Sequence, residues 1–319
     1  MRKCLIVCWY GLMPSYYKLW QCSCNNNKDY DFLIFTDQNI TSEMDNLKII
    51  NMSFNELKDL IEKKLSIKVN FSKPYKLCDF RPAYGVIFED YIRDYNYWGH
   101  CDLDQVFGKI SDFIPDNELC NYEKINHNGH FVLYKNETKI NNMFRKNGAI
   151  YSWKEVFTHK ENYAFDEYYG INRIMKENNI SQAFFNQFAD IDKKYKRYRT
   201  INHSNWKKQI FVLDGENICR YVYEDGKIQK KDSFFYLHFQ KKIPLIDDNI
   251  DYNKKIVMGC NAFSNVDVIT EKTFDIFNPS KSSFSEKVEL LKYLLRKIGE
   301  FIKSNNLEKI IKIKQKGAL

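Results

Sequence analysis

The sequence predicts an α/β fold with a C-terminal helical tail. Short apolar runs of strand length alternate with segments of helical period through the first half. An acidic turn follows the fourth such run, at a strand end, where open α/β sheets bind ligands. From residue 285 onward apolar residues recur at helical spacing.

Residues 4–10 form a strand that breaks at Gly11 and leads into a helix-like stretch, 15–24. Residues 31–37 are the second strand, ending in Thr36-Asp37, and 47–52 the third. Ser53 with Glu56 three residues on is a capping box. It opens a helix to Leu65 with Leu57, Leu60, Ile61 and Leu65 on one stripe. Residues 73–85 lead into a helix through Phe88 and Tyr91, completing three βα-type units. Tyr97 and Trp98 end a buried strand in which Gly99 lets another chain or a ligand come close. Residues 129–135 are a further strand, and 165–170 start a helix through Met175. Residues 209–213, 218–223 and 234–239 form a meander, with Asp214-Gly215 and Asp225-Gly226 as turn signals. The division expected is a main domain over 1–245, a connecting segment 246–284 and a basic amphipathic tail 285–319.

The 319 residues carry 49 Lys and Arg against 41 Asp and Glu, a net charge of +8. Residues 287–319 hold nine basic side chains and three Glu, a net +6. The body is therefore nearly neutral, and no nucleic acid is expected as a partner. Nine scattered cysteines, an odd number without zinc spacing, point to a reduced, cytoplasmic chain. The apolar start is too short for a signal peptide, and no run reaches the roughly 18 apolar residues of a membrane span.

The acidic turn is Cys101-Asp102-Leu103-Asp104. In an extended segment residues i and i+2 share a face, so Asp102 and Asp104 present two carboxylates to one point. Like charges so placed repel unless a cation sits between them or one protonates. Mn²⁺ or Mg²⁺ takes such oxygen ligands and bridges them to a phosphate.

Around this turn the motifs fall in a recognisable order. They are Tyr10-Gly11; Phe35-Thr36-Asp37; the run from Lys76 to Pro82 with Asp79 and Arg81; Asp102 and Asp104 before Val106-Phe107-Gly108; Gly129-His130-Phe131; Phe165-Asp166-Glu167; and His238 with Gln240-Lys241. Over residues 4–242 the chain resembles a bacterial family of GT-A-type glycosyltransferase-like proteins associated with capsule or surface-polysaccharide synthesis. It is more weakly similar to the retaining glycosyltransferases of families 8 and 32. Phe239-Gln240-Lys241-Lys242 stands where family 8 commonly has Gly-x-x-Lys-Pro-Trp.

The resemblance implies a GT-A-like, Rossmann-like mixed sheet flanked by helices, and a metal-dependent transfer from a nucleotide-diphosphate sugar. Asp102, Asp104 and His238 would hold Mn²⁺ or Mg²⁺, and Lys241 would meet the phosphates. Tyr10, Asp37, Lys76, Asp79 and Arg81 would bind the donor. Asp166 and Glu167 would serve the acceptor, one as base in an inverting enzyme, both as positioning groups in a retaining one. His130 would line that side. The acceptor would be a glycan precursor, lipid-linked at the inner face of the cell membrane. A non-catalytic adaptor of the same fold in a polysaccharide assembly is the rival reading.

Plainer readings stand beside these. Asp166 and Glu167 read as helix-capping acids, Asp79 and Arg81 as a cap pair, and Asp37 as a turn residue. His238 reads as a strand histidine opposite apolar neighbours. In the tail, the stripe Val288, Leu291, Leu295, Ile298 and Ile302 is expected to pack on the domain. Residues 310–316 are expected to touch an anionic membrane.

Overall fold

The computed structural model describes residues 1–240, 242 and 244–303, so Lys241 and residues 304–319 lie outside the described residues. The strands run in chain order as β1 Lys3–Trp9, β2 Tyr30–Thr36, β3 Leu47–Asn51, β4 Tyr97–Cys101, β5 Gln105–Phe107, β6 Lys124–Ile125, β7 Phe131–Lys135 and β8 Gln182–Ala183. After them come β9 Ala189–Asp190, β10 Gln209–Asp214, β11 Asn217–Glu224, β12 Lys227–Phe234, β13 Tyr236–His238, β14 Leu245–Ile246, β15 Ile256–Met258 and β16 Ala262–Asn265.

They form a mixed α/β architecture in which multi-stranded sheets are flanked by helices. The first sheet has the order β3-β2-β1-β4-β7-β6-β8. Its strands β1 to β4 are parallel, and β7 runs antiparallel to β4. A second sheet has the order β12-β11-β10-β15-β16-β14, and a third the order β5-β13-β9.

Side chains alternate across a strand, and this layers the molecule. Leu5 and Val7 of β1, with Phe32 and Ile34 of β2, enter one core, where Phe211, Phe234 and Leu237 of the other two sheets meet them. Cys4, Ile6, Leu33 and Phe35 enter the opposite core under Leu57, Ile61, Phe80 and Tyr84. A one-residue slip would exchange the two sets. Gly99 lies in the middle of β4, where an added Cβ would stand 2.0 Å from the Val132 carbonyl oxygen of β7.

The helix Phe54–Leu65 has its capping box: the Glu56 amide donates to Ser53 Oγ at 3.2 Å, and the Ser53 amide to Glu56 Oε2 at 2.7 Å. Leu57, Ile61 and Leu65 are buried. The helix expected through Phe88 and Tyr91 is instead a series of single turns, with Pro74 and Pro82 near the starts of two of them. Proline donates no amide and restrains the residue before it, which interrupts the run up to Ala83, while the expected helix itself breaks at Phe88, whose φ of −105° and ψ of 21° leave helical geometry. The link from β2 to β3 carries no helix among the described residues.

Residues 165–170 form a turn, and the helix Ile171–Glu177 begins only after it. The Tyr163 and Phe165 amides, each 2.9 Å from a carboxylate oxygen of Asp79, are held outside any helix.

The meander is β10-β11-β12; Tyr236–His238, expected within its last strand, leaves it as β13 for the third sheet. β12 lies at a sheet edge, paired with β11, and most of its side chains are exposed. Its Lys227, Lys230 and Lys231 leave no apolar signature, and charge of this kind discourages strand addition. The turn before it has positive φ at Asp225 and Gly226, as a two-residue type I′ hairpin needs. Within residues 246–284, expected as a connector, β15 and β16 extend the second sheet. The helix Glu271–Phe277 also falls there, and it packs Phe274 and Phe277 on Ile210, Val212 and Val257.

The final helix, Ser283–Lys303, turns polar residues to the body. Glu286 pairs with Arg199 at 2.7 Å and Arg197 at 3.3 Å, and Glu289 accepts the Lys196 amide at 3.0 Å. Its apolar stripe is not packed as expected: Leu291, Leu295 and Ile298 are 57, 59 and 55% exposed. The stretch 310–316 lies beyond the described residues. No helix among those described is long and apolar enough to cross a membrane, and all nine cysteines are free thiols.

Candidate metal centre

β4 is buried along its length, so the chain leaves the sheet at Asp102, next to β1. Two backbone bonds hold the turn into β5: the Asp102 amide donates to the His130 carbonyl at 3.1 Å, and the Phe239 amide to the Asp104 carbonyl at 3.0 Å. β13 places His238 opposite Gln105 of β5 and beside Asp190 of β9. These pairings bring the imidazole to the acidic turn. His238 Nε2 lies 3.4 Å from Asp104 Oδ1 and 3.9 Å from Asp102 Oδ2. The ligand atoms of Asp102, Asp104 and His238 lie within 4.8 Å of one another.

On the far side of the ring, His238 Nδ1 is 2.9 Å from Asp190 Oδ1. Gln240 Nε2 donates to the same oxygen at 2.7 Å. An ionised carboxylate only accepts, so Nδ1 carries a proton and Nε2 faces the acidic pair. Burial works against charge on His238, but Asp104 and Asp190 outweigh it and hold its pKa up at about 10. His130 stacks on His238 with ring centroids 4.4 Å apart, and its Nδ1 meets the Tyr236 hydroxyl at 2.8 Å. Burial, with the neighbouring His238, pushes His130 down to about 3, so it is neutral.

Arg81 joins this cluster to the acceptor-side acids. It donates to Asp102, to Asp166 Oδ2 at 3.1 Å and to the Gly129 carbonyl at 2.8 Å. Burial raises the Asp166 carboxyl to about 7 despite Arg81. Glu167 accepts the Gly129 amide at 2.8 Å. A Cβ on Gly129 would stand 2.9 Å from both the Asp166 and Glu167 carboxylate oxygens, so a larger residue here would push the two acids aside. Both acids precede the helix Ile171–Glu177 rather than capping it, since its N-cap is Gly170.

Lys76 and Asp79 have a different task from the donor binding expected of them. Lys76 Nζ is 2.8 Å from Asp79 and 2.8 Å from the Val156 carbonyl, and both side chains are buried. With the two amides that Asp79 accepts, this pair fixes the loop that delivers Asp166. A desolvated pair has no open side for a diphosphate. Tyr10 and Asp37 follow β1 and β2. The Tyr10 ring is buried on Phe54, whereas Asp37 is exposed and 3.4 Å from the Gly11 amide.

A cleft of about 360 Å³ opens beside the cluster, lined by His130, Glu167 and Asp190 and by the rings of His127, Tyr168 and Phe184. His127 and Phe184 stack at 4.1 Å, while Tyr168 and Phe184 are 61 and 45% exposed. A depression of about 470 Å³ at Asp59, Glu62 and Lys63 shares no residue with it.

Two residues here escaped the sequence reading. Asp190 belongs to Asp190-Ile191-Asp192, a second Asp-x-Asp whose partner strand the sequence does not reveal. Tyr16 is buried, and burial together with Asp104 and Asp102 raises its pKa. Two carboxylates with one imidazole fit a divalent ion that accepts oxygen and nitrogen, and the imidazole favours Mn²⁺ over Mg²⁺.

Fold and site together define a mixed α/β protein with an acid–histidine cluster where its parallel strands end. Residues 5–267 match a family of unknown function (DUF6625), and the chain belongs to that family. No curated protein matches the sequence.

Proposed function

We propose that the protein is a metal-dependent glycosyltransferase of GT-A-like fold, moving a sugar from a nucleotide-diphosphate donor to a hydroxyl of a surface-glycan precursor. The observation that carries this reading is the convergence of Asp102, Asp104 and His238 beside the parallel strand ends. Ligands of open α/β sheets bind at such ends, where the strand order reverses. Here that point lies between β1 and β4. The order of sequence motifs supports the same reading.

When bound, Mn²⁺ or Mg²⁺ offsets the charge on a departing diphosphate. Asp190 keeps the proton on His238 Nδ1 and the ring aimed at the acidic pair. Arg81 balances Asp102 and Asp166. Asp37, exposed after β2, serves the nucleoside. Asp166, with its pKa near 7, takes a proton from the acceptor hydroxyl. The rings of Tyr168, His127 and Phe184 offer apolar faces to a pyranose, and Glu167 offers a polar edge.

The test is a thermal-shift and calorimetric titration with Mn²⁺ and a panel of nucleotide sugars. The expected result is joint stabilisation greater than the sum of the separate shifts, lost in Asp102→Asn and Asp104→Asn. Additive shifts that survive both substitutions would overturn the reading.

One observation favours the adaptor reading. Arg81 and a protonated His238 already pair with Asp102 and Asp104, so the acidic pair has counter-charges from the protein itself. That reading predicts unchanged polysaccharide output from Asp102→Asn/Asp104→Asn cells.

A further inference from the structure

The helix Ser283–Lys303 is held to the body by one face only. Glu286 and Glu289 make its tethers, through Arg197, Arg199, Lys281 and the Lys196 amide. At about 3.6 residues per turn, Phe284, Leu291, Leu295 and Ile298 fall together on the face opposite those two glutamates. They are 77, 57, 59 and 55% exposed, an apolar stripe of large side chains left in water. Such a patch on a soluble surface marks an interaction site.

Charge identifies what covers it. Lys287 and Lys292 flank the stripe on its two sides, both exposed, and Arg296 and Lys297 stand further round. Glu286 and Glu289 are spent on tethering, and Glu300 pairs with Arg296 and Lys297, so Lys287 and Lys292 are the cations that edge the stripe. An apolar stripe edged by cations is the surface that lies in an anionic lipid headgroup layer, with leucines in the acyl boundary and lysines at the phosphates. A second copy of this chain would bring the same basic edges and like-charge repulsion, whereas anionic lipid complements Lys287 and Lys292.

We infer that the helix Ser283–Lys303 is itself a membrane-docking element, seating the protein on an anionic bilayer surface without crossing it. The tethers through Glu286 and Glu289 then transmit that position to the loop of Lys196, Arg197 and Arg199. This inference is independent of the proposed chemistry: a protein without transferase activity would dock equally well.

The experiment is co-sedimentation of the full chain with phosphatidylcholine vesicles, with and without phosphatidylglycerol, at low and high salt. Binding is expected with phosphatidylglycerol only, and weaker at high salt. Leu291→Glu/Leu295→Glu is expected to lower the partition by about a hundredfold. It should keep the melting temperature, since both side chains already face water. A chain ending at Lys303 is expected to retain binding. No binding by the full chain overturns the inference. So does binding that survives the double substitution, which would place it in residues 304–319. A stable dimer that the double substitution dissociates would overturn it too, by assigning the stripe to a second copy.

Discussion

Removing the Asp190 carboxylate frees the His238 imidazole to turn away from the acidic pair. Asp190→Asn is therefore expected to weaken Mn²⁺ binding about 10–100-fold, the usual cost of losing an outer partner of a ligating histidine. Calorimetry with Mn²⁺ alone measures this, and an unchanged titration would return His238 to a structural role. Asp166 makes a second test at this scale. Folded, it holds its proton up to about pH 7. Unfolded, it releases the proton near the ordinary carboxylate value of about 3.9. Its contribution to stability thus falls as pH rises from about 4 to 7. Asp166→Asn should melt with the parent at pH 4 and above it at pH 8, by at most about 4 kcal/mol in stability. Parallel melting curves across that range would mean an ordinary pKa. Asp102 and Asp104 were legible because two carboxylates one residue apart mark a ligand pair, although the chain bends at Leu103 and Asp104 instead of running extended. Asp190 was not, because it reaches the site through the pairing of β9 with β13, and a long-range pairing leaves no local pattern.

Elements show the same division between local and distant causes. The capping box at Ser53 is written within four residues, and the helix Phe54–Leu65 follows it to the expected end. Ser53→Ala should cost about 1 kcal/mol, read as a lower denaturant midpoint with unchanged slope. β12 is the counterexample, since a half-solvated edge strand has no need of alternating apolar residues. The turn at 165–170 is another: the amides of Tyr163, ahead of it, and Phe165, its first residue, are held by Asp79, far back in the chain, so local helix signals lose. Gly99 ties an element to the site. With an added Cβ 2.0 Å from Val132 O, Gly99→Ala should cost on the order of 3 kcal/mol or more and part β4 from β7. The expected outcome is loss of folded protein in circular dichroism. A normally folded Gly99→Ala that binds Mn²⁺ would show that the strands can shift without moving Asp102.

At the scale of the whole molecule, the α/β class was legible because successive parallel strands alternate their apolar residues between two cores. The second sheet was only partly legible. Its strands β15 and β16 are short, and β10, on which β15 pairs, precedes it by some forty residues. The outer face of the final helix was half legible: the stripe and its lysines are in the sequence, but that the stripe turns to water instead of packing on the body is decided by the contacts of Glu286 and Glu289.

The third sheet, β5-β13-β9, has a consequence for the order of events on the ribosome. Asp102 and Asp104 emerge early, and the strands they follow can pair as soon as β7 is made. His238 and Asp190 arrive on the order of ten seconds later at bacterial or eukaryotic elongation rates. Until then the acidic pair stands without its imidazole, with Arg81 on Asp102. A nascent chain stalled before β13 should therefore fold its first sheet yet capture no Mn²⁺, so loading with metal would wait until β13 is made.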